Sequence, residues 1–430
     1  MHIPFCASRC DYCDFATWTD RSHLIDQYVD ACVRQLASDP INRERPATTV
    51  FFGGGTPSLI PPRDLMRILD AVNLAPSAEV TVECNPDAAS AEHMNVYAAH
   101  GVNRISLGVQ STSAHVLQSL GRTHDRANVA RAINAARSNA INNINLDVIY
   151  GTAGESIEDW CTTLDDVLEF APTHVSAYAL TVEPATALGI RVQRGMAIAP
   201  DDDDQAEKYE RVESKLSSVG YQNYEISNWA QPDRECAHNL LYWTMGEYLA
   251  IGCAAHGHLA SRRFWNVRTP ERFIDAIERD QSPVGGSEEL DDAGQREERF
   301  TLALRTSRGV SYAEPASRQD RNDADDLVEQ LIIAELLEQS NSILRLTARG
   351  RLLANDLTAR LLNAGITDRG EVRCSTARPP PSNRDVRQWL QRILPTEPIE
   401  VAANLWTAST TVRPRSCAPS SRNTSPPRNR

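Results

Sequence analysis

Three cysteines fall within eight positions near the start of the chain, Cys6, Cys10 and Cys13, in a Cys-x3-Cys-x2-Cys spacing. A loop this short can turn three thiolates towards one point, which is what iron–sulfur ligation asks of a protein. Three protein donors on a four-iron cluster leave one iron open, and an open iron can bind and reduce a small molecule. Zinc is the competing reading, but a structural zinc site takes four ligands, usually as two cysteine pairs. No second pair stands at matching spacing: Cys32, Cys84, Cys161, Cys236, Cys253, Cys374 and Cys417 are scattered singly. Ten cysteines in 430 residues do not make a disulfide scaffold either.

The totals narrow the setting. Hydrophobic content of 41% and charged content of 23% are ordinary for a globular protein, and the length suits one large α/β domain plus a smaller one. A net charge of −13 and a pI near 5.3 argue against non-specific nucleic-acid binding. No run of eighteen apolar residues, no signal-peptide pattern and no GxxxxGK[ST] loop occurs. Scattered thiols and an oxygen-sensitive motif place the protein in the reducing cytoplasm.

Positioning the cysteines requires a scaffold, and the chain shows one by periodicity. Helices are expected from His23 to Ala37, Leu65 to Leu74, Ser90 to His100, Ala114 to Ser119, Ala127 to Asn139 and Ile157 to Phe170. Strands are expected at Thr48 to Phe52, Val80 to Glu83, Arg104 to Val109, Ile144 to Tyr150 and His174 to Leu180. Strand and helix alternate with a period near 30 residues, which implies parallel strands and right-handed crossovers. Gly53-Gly54-Gly55-Thr56-Pro57, Cys84-Asn85-Pro86, Gln110-Ser111 and Gly151 all follow strands, at the ends where such folds build active sites. The fold class is α/β: a partial (β/α)6 TIM-like barrel over residues 1–200, with a closed eight-stranded barrel as the structural alternative.

Beyond 200 the pattern changes. Asp201 to Asp204 read as a solvated helix start complementing the macrodipole; Gln205 to Val219 is the helix and Tyr221 to Ile226 a strand, in a barrel extension spanning 201–270. Residues 271–365 read as mostly helical, clearest at Leu327 to Leu337 and Leu352 to Leu362, with Leu344 to Thr347 as a strand or wing: a small winged-helix-like domain. Residues 366–430, with Pro379 to Pro381 and no lysine, read as a disordered basic tail.

From His2 to about Leu362 the chain resembles the radical S-adenosylmethionine (SAM) superfamily. Within it the chain resembles the oxygen-independent coproporphyrinogen III oxidase family, and in particular that family's haem-chaperone branch. The resemblance rests on His2-Ile3-Pro4-Phe5-Cys6, Gly53-Gly54-Gly55-Thr56-Pro57, Glu83-Cys84-Asn85-Pro86, Leu107-Gly108-Val109-Gln110-Ser111, Asp147-Val148-Ile149-Tyr150-Gly151 and His238-Asn239-Leu240-Leu241-Tyr242-Trp243. It implies a radical SAM barrel with a [4Fe–4S] cluster on Cys6, Cys10 and Cys13, whose open iron chelates SAM and cleaves it to a 5′-deoxyadenosyl radical. It further implies that Tyr12, Gly54, Gly55, Thr56, Glu83, Gln110, Arg122, Asp147 and Ile251 contact SAM. The glycines are expected to bring backbone amides close to the ligand. For Arg122 and Asp147 a surface ion pair is the plainer alternative.

Two features separate the branches. The oxidases carry a fourth cysteine two residues after the third, where this chain has Phe15, and a substantial segment before the cluster. His238, Asn239 and Tyr242 resemble the HNxxY haem-binding motif of the chaperone branch, with His256 a weaker candidate; imidazole is a natural axial ligand for haem iron. The resemblance therefore implies haem carried to apo-haemoproteins such as respiratory enzymes, by a monomer or dimer. Oxidative decarboxylation of coproporphyrinogen III is the alternative; a remnant lacking cluster and ligand is a third. The chain also departs from the family pattern. Met1 stands where a full first strand would end, so that strand is expected to be nearly absent and translation to start upstream. Thr152-Ala153, Ala185-Thr186-Ala187 and Ala254-Ala255-His256-Gly257 replace the usual turn residues.

Overall fold

The computed structural model describes residues 1–313 and 318–368. Six parallel strands run in chain order: β1 (His2–Ile3), β2 (Ala47–Gly54), β3 (Leu74–Cys84), β4 (Arg104–Gln110), β5 (Asn143–Tyr150) and β6 (His174–Ala179). A hairpin of β7 (Gln222–Glu225) and β8 (Asn228–Ala230) extends the sheet antiparallel, in the order β1-β2-β3-β4-β5-β6-β8-β7. The outer strands do not pair with each other in this order, so the barrel is partial.

Crossover helices start where the sequence supplies caps. The Ser90 side chain accepts from His93 N–H ahead of Ala91–Ala99, and Asp125 and Ser156 form capping boxes ahead of Arg126–Ser138 and Ile157–Glu169. The helix expected to reach Leu74 stops at Asp70, and Leu74 opens β3. Hydrophobic periodicity alone could not separate the end of that helix from the start of an apolar strand.

Each strand alternates. Val50, Phe52, Val80, Val82, Ile105, Leu107, Ile144, Leu146, Val148 and Val175 enter the main apolar core. The intervening residues 49, 79, 106, 145, 147, 174 and 176 hydrogen-bond one another or later elements. A parallel sheet covered on both faces reads as a continuous apolar run. This sheet reads as alternation because its inner face lines a polar lumen.

Two smaller sheets follow. β9 (His256–Leu259), β10 (Arg262–Asn266) and β11 (Val284–Glu289) are antiparallel in the order β11-β10-β9. β12 (Val310–Ala313), β13 (Leu337–Ser340), β14 (Ile343–Leu346) and β15 (Thr367–Asp368) form a sheet in the order β13-β14-β12-β15. Helices Asp292–Leu304, Arg318–Ile333 and Ala354–Asn363 flank it, around a core that includes Phe300, Leu304, Leu331, Leu344 and Leu357. Residues 271–365 are mostly helical, as expected, with these short strands between the helices. The Leu327–Leu337 piece ends at Ile333, and Leu353 divides Leu352–Leu362 between two helices. The expected tail begins inside β15, and its residues from 369 onward lie outside the described residues. The β13–β14 hairpin is the wing expected near Leu344.

One buried ion pair ties the loop after β5 to a helix about fifty residues further along the chain. Lys208, on helix Asp202–Ser218, donates from Nζ to Glu155 O (2.8 Å), to Glu155 Oε2 (3.1 Å) and to Asp204 Oδ2 (2.7 Å). Both the Lys208 and Glu155 side chains are fully buried, and Gly151 N–H donates to Glu155 Oε2 at 2.7 Å. The acidic run therefore does more than solvate a helix start: Asp204 completes the lysine's shell. Removing one partner of a buried pair leaves the other uncompensated. Lys208→Met should lower the unfolding free energy by about 3–5 kcal/mol in a denaturant titration, and adding Glu155→Gln should restore part of it.

Candidate functional site: a cysteine loop above a polar lumen

Cys6, Cys10 and Cys13 are half-buried and free, on a loop pinned at several points. Cys6 N–H donates to Trp18 O (3.1 Å), Trp18 N–H to Pro4 O (2.8 Å), and Cys13 N–H to Cys10 O (3.1 Å). Helix Ala187–Gln193 holds the far side through Leu188 N–H to Asp11 O (2.8 Å) and Arg191 to the Asp11 carboxylate (2.5 Å). Burial pushes the Cys6 and Cys13 thiols up; the Thr56 hydroxyl, 3.7 Å from Cys6 Sγ, acts against that. Arg122 Nη1 stands 3.8 Å from Cys10 Sγ. A cation and a hydroxyl beside three soft donors on one loop suit a bound thiolate cluster. No three His, Cys, Asp or Glu side chains among the described residues close on a single metal ion.

The glycine turn serves this loop directly. A Cβ at Gly55 would stand 2.6 Å from Phe5 O and 3.1 Å from Cys6 Sγ, so only glycine lets β2 approach. The amides expected to face a ligand are engaged within the protein. Gly53 N–H donates to Met1 O (3.1 Å), Gly54 N–H to Glu83 Oε2 (3.3 Å), Gly55 N–H to Ile3 O (2.7 Å) and Thr56 N–H to Phe5 O (2.8 Å). Close packing accounts for these glycines: a Cβ at Gly53 would meet Glu83 and Phe51, one at Gly54 the His2 ring, and one at Gly55 the cysteine loop.

Around the loop, the expected residues are brought to the strand ends or, for Asp147, three residues before one, with one exception. Glu83, half-buried, stands one residue before the end of β3; desolvation and then the neighbouring Asp147 push its carboxyl up to about 7, against the pull of Gly54 N–H. Asp147 on β5 accepts from Ser106 Oγ and Asn145 Nδ2, each at 2.8 Å, and burial raises its carboxyl too. Arg122 donates to Gly108 O (2.7 Å) and Asn85 Oδ1 (2.9 Å). Neither is a surface ion pair. Gln110 closes β4 at φ 64°, just after a register shift, in the left-handed region that is strained for a residue with a Cβ. Tyr12 packs with Val116, Leu120, Ile149, Leu180 and Leu188, locking the cysteine loop to the ends of β5 and β6. Ile251 is the exception: it is buried beside β1, its carbonyl accepting from His2 N–H (3.0 Å), and it lines a cavity that Phe51 and His238 also line.

The second group sits at the opposite end of the strands. Helix Ala237–Trp243 docks against the N-terminal halves of β2 and β3, with His238 N–H on Glu79 Oε1 (3.0 Å). His238 Nδ1 meets Thr49 Oγ1 at 2.8 Å and its Nε2 meets Tyr242 OH at 2.8 Å, while the ring stacks on Phe51 at 5.3 Å. Burial pulls the imidazole down to about 3, so it is neutral, as ligation of a metal requires. Asn239 Nδ2 reaches Tyr224 OH (3.2 Å) and Glu225 Oε1 (3.1 Å). A cavity of about 230 Å³ lies beside His238, walled by Leu36, Val50, Leu241, Tyr248 and Leu249. Thr49 precedes Gly53 by four residues, so this end lies roughly 13 Å along the strand from the glycine turn. His256 is exposed at the start of β9 and takes no part.

Reading the sequence for strand ends missed the lumen between the two groups. Ser106, Asn145, His174 and Ser176 form it, with Asn145 Nδ2 on Ser106 Oγ (2.7 Å) and Asn145 Oδ1 meeting His174 Nδ1 (2.6 Å). The signal was present as polar residues at every second position: Arg104-Ile105-Ser106-Leu107 and Asn143-Ile144-Asn145-Leu146-Asp147.

Comparison with known proteins follows the same lines. Residues 1–167 match the Radical SAM superfamily and residues 290–353 the HemN C-terminal domain. Heme chaperone HemW of Mycobacterium tuberculosis is 39% identical over 372 residues, 84% of this chain and 94% of that protein. Heme chaperone HemW of Bacillus subtilis is 34% identical over 366 residues, 83% of this chain and 97% of that protein. The solved structure of coproporphyrinogen III oxidase (HemN) from Escherichia coli is 21% identical, covers 84% of this chain and 88% of that chain, and superposes with a TM-score of 0.71, a likeness of fold alone. Radical SAM membership implies a [4Fe–4S] cluster and SAM. No helix among the described residues is long and apolar enough to cross a membrane. By sequence over most of its length, and by fold, this chain belongs to the radical SAM superfamily and, within it, to the HemW family.

Proposed function

We propose that this protein is a haem chaperone, binding haem through His238 at the N-terminal end of the barrel and passing it to apo-haemoproteins in the cytoplasm. The observation that carries this reading is the buried, neutral imidazole of His238, stacked on Phe51 beside a mainly apolar cavity that Arg45 and Glu247 also line. Haem needs an apolar wall for its macrocycle and a neutral nitrogen for its iron. Tyr242 OH holds Nε2 in the free protein, so iron takes the position the phenol leaves. Asn239, anchored on Tyr224 and Glu225, orients the helix that carries the ligand. The relatives' name, Heme chaperone HemW, supports the same cargo. All eight described cysteines being free supports a reducing compartment.

Cys6, Cys10 and Cys13 would hold the [4Fe–4S] cluster, which when bound supplies one-electron chemistry to SAM. Around it, Glu83 accepts from a SAM ammonium, Arg122 and Gln110 meet its polar groups, Tyr12 offers a ring, and Asp147 braces the strand end. Gly54, Gly55 and Thr56 keep the loop close enough for this. Ile251, buried beside β1, bears on the SAM site through the strand it holds. The cargo site lies far along the strands from the cysteine loop. That separation favours carriage of haem over decarboxylation of a porphyrinogen, which needs its substrate beside SAM.

Two measurements test these assignments. In an anaerobic titration of cluster-reconstituted protein, haem should bind one to one, and His238→Ala should weaken it by roughly tenfold or more and shift the Soret band; equal binding and an unchanged spectrum in the variant would remove His238 as the ligand. SAM binding should strengthen as pH rises through about 7, where Glu83 loses its proton. Below that pH the carboxyl is neutral and an ammonium gains nothing from it, so affinity falls by up to about tenfold per unit. Glu83→Gln should bind weakly at every pH, and a slope that persists in that variant would assign the titration elsewhere.

A further inference from the structure

Thr81 on β3 and Arg104 on β4 are register partners, side by side in the middle of the sheet. Strand alternation puts both on the lumen face: Thr81 lies between Glu79 and Glu83, and Arg104 is two residues before Ser106. Arg104 is 2% exposed and Thr81 0%, yet Arg104 Nε and Thr81 Oγ1 both lack a hydrogen-bond partner among the described residues. Buried polar atoms are nearly always paired. Two neighbours left open together, in a lumen whose other polar groups are mutually bonded, point to a partner from outside the fold.

The chemistry of that partner follows from the donors. A guanidinium offers N–H groups in a planar fork that matches a carboxylate, and an adjacent hydroxyl adds a third donor. Arg104 pairs in register with Thr81, which lies on β3 between Glu83 and Glu79, the residue that accepts from His238 N–H of the haem-motif helix. Glu83, protonated up to near neutrality by burial, opposes an incoming anion less than an ordinary carboxylate would.

We infer that Arg104 and Thr81 form a carboxylate subsite in the barrel lumen, which takes a propionate of the tetrapyrrole whose iron is held at His238. This rests on the haem reading above and adds to it the group that tells a free-acid porphyrin from an esterified one.

The test compares titration of the full chain with haem and with haem dimethyl ester, whose propionates cannot carry charge. The wild type should prefer haem by roughly tenfold or more, the scale of a charge-assisted contact. Thr81→Val should shrink that preference several-fold while unfolding at the same or higher denaturant concentration, because it removes an unpartnered buried hydroxyl. Arg104→Lys, which keeps the charge but not the fork, should shrink it too and guards against a folding defect. His238→Ala should weaken both ligands alike. Equal affinity of the wild type for haem and its ester overturns the subsite and leaves the haem reading standing. An undiminished preference in both lumen variants overturns the assignment to these residues. Failure to bind either ligand overturns the haem reading itself.

Discussion

Polar side chains on the inner face of a parallel sheet have to satisfy one another, because little water reaches them. That constraint organises this protein. Asp147, Ser106, Asn145, His174 and Tyr224 are joined by hydrogen bonds of 2.6–2.9 Å across β4, β5, β6 and β7. Tyr224 then receives Asn239 from helix Ala237–Trp243. An isolated amide or carboxylate buried there would cost several kcal/mol; linked, the same groups specify one register of the sheet and one seat for the helix. The outer face carries the ordinary apolar core, and its alternation with the lumen residues is what makes the strands legible.

The two ends of this lumen are built for different work. At the C-terminal end, glycines let β2 touch the cysteine loop, and burial makes the surrounding carboxyls weaker acids than usual. At the N-terminal end, Thr49 and Tyr242 hold both nitrogens of a neutral imidazole against a mainly apolar cavity. A shared network spans the distance between them, so a change at one end has a physical route to the other through packed, hydrogen-bonded side chains.

The turns where this chain departs from its family keep their geometry by other means. Without the usual proline, the loop after β5 holds Gly151 at φ 81° and Gly154 at φ 84°, and Glu155 with Lys208 clamps it to helix Asp202–Ser218. In Glu183-Pro184-Ala185-Thr186-Ala187, the Thr186 side chain accepts from Gly189 N–H at 3.0 Å and starts the helix that braces the cysteine loop. Gly189 has no room for a Cβ, because the helix packs directly on the Glu183 carbonyl.

From sequence alone, much was determined. The cysteine spacing, the order of strands and helices to Leu180, the strand-end positions of Glu83 and Gln110, and the family itself could be read because each depends on local pattern. What tertiary structure alone decided is how the segments meet. Helical periodicity past 270 concealed a four-stranded sheet, since β12 to β15 are two to four residues long and too short to show a period. The amides of Gly53, Gly55 and Thr56 turned out to be engaged by Met1, Ile3 and Phe5, contacts between residues about fifty apart, and that of Gly54 by Glu83. His238 could be named from its motif, but not that its ring would face inward, bonded at both nitrogens and far along the strands from the cluster loop. Arg104 and Thr81 carry no motif. Only the register of β3 on β4 sets them side by side, because pairing between strands is fixed by packing over the whole sheet and not by any stretch within one strand.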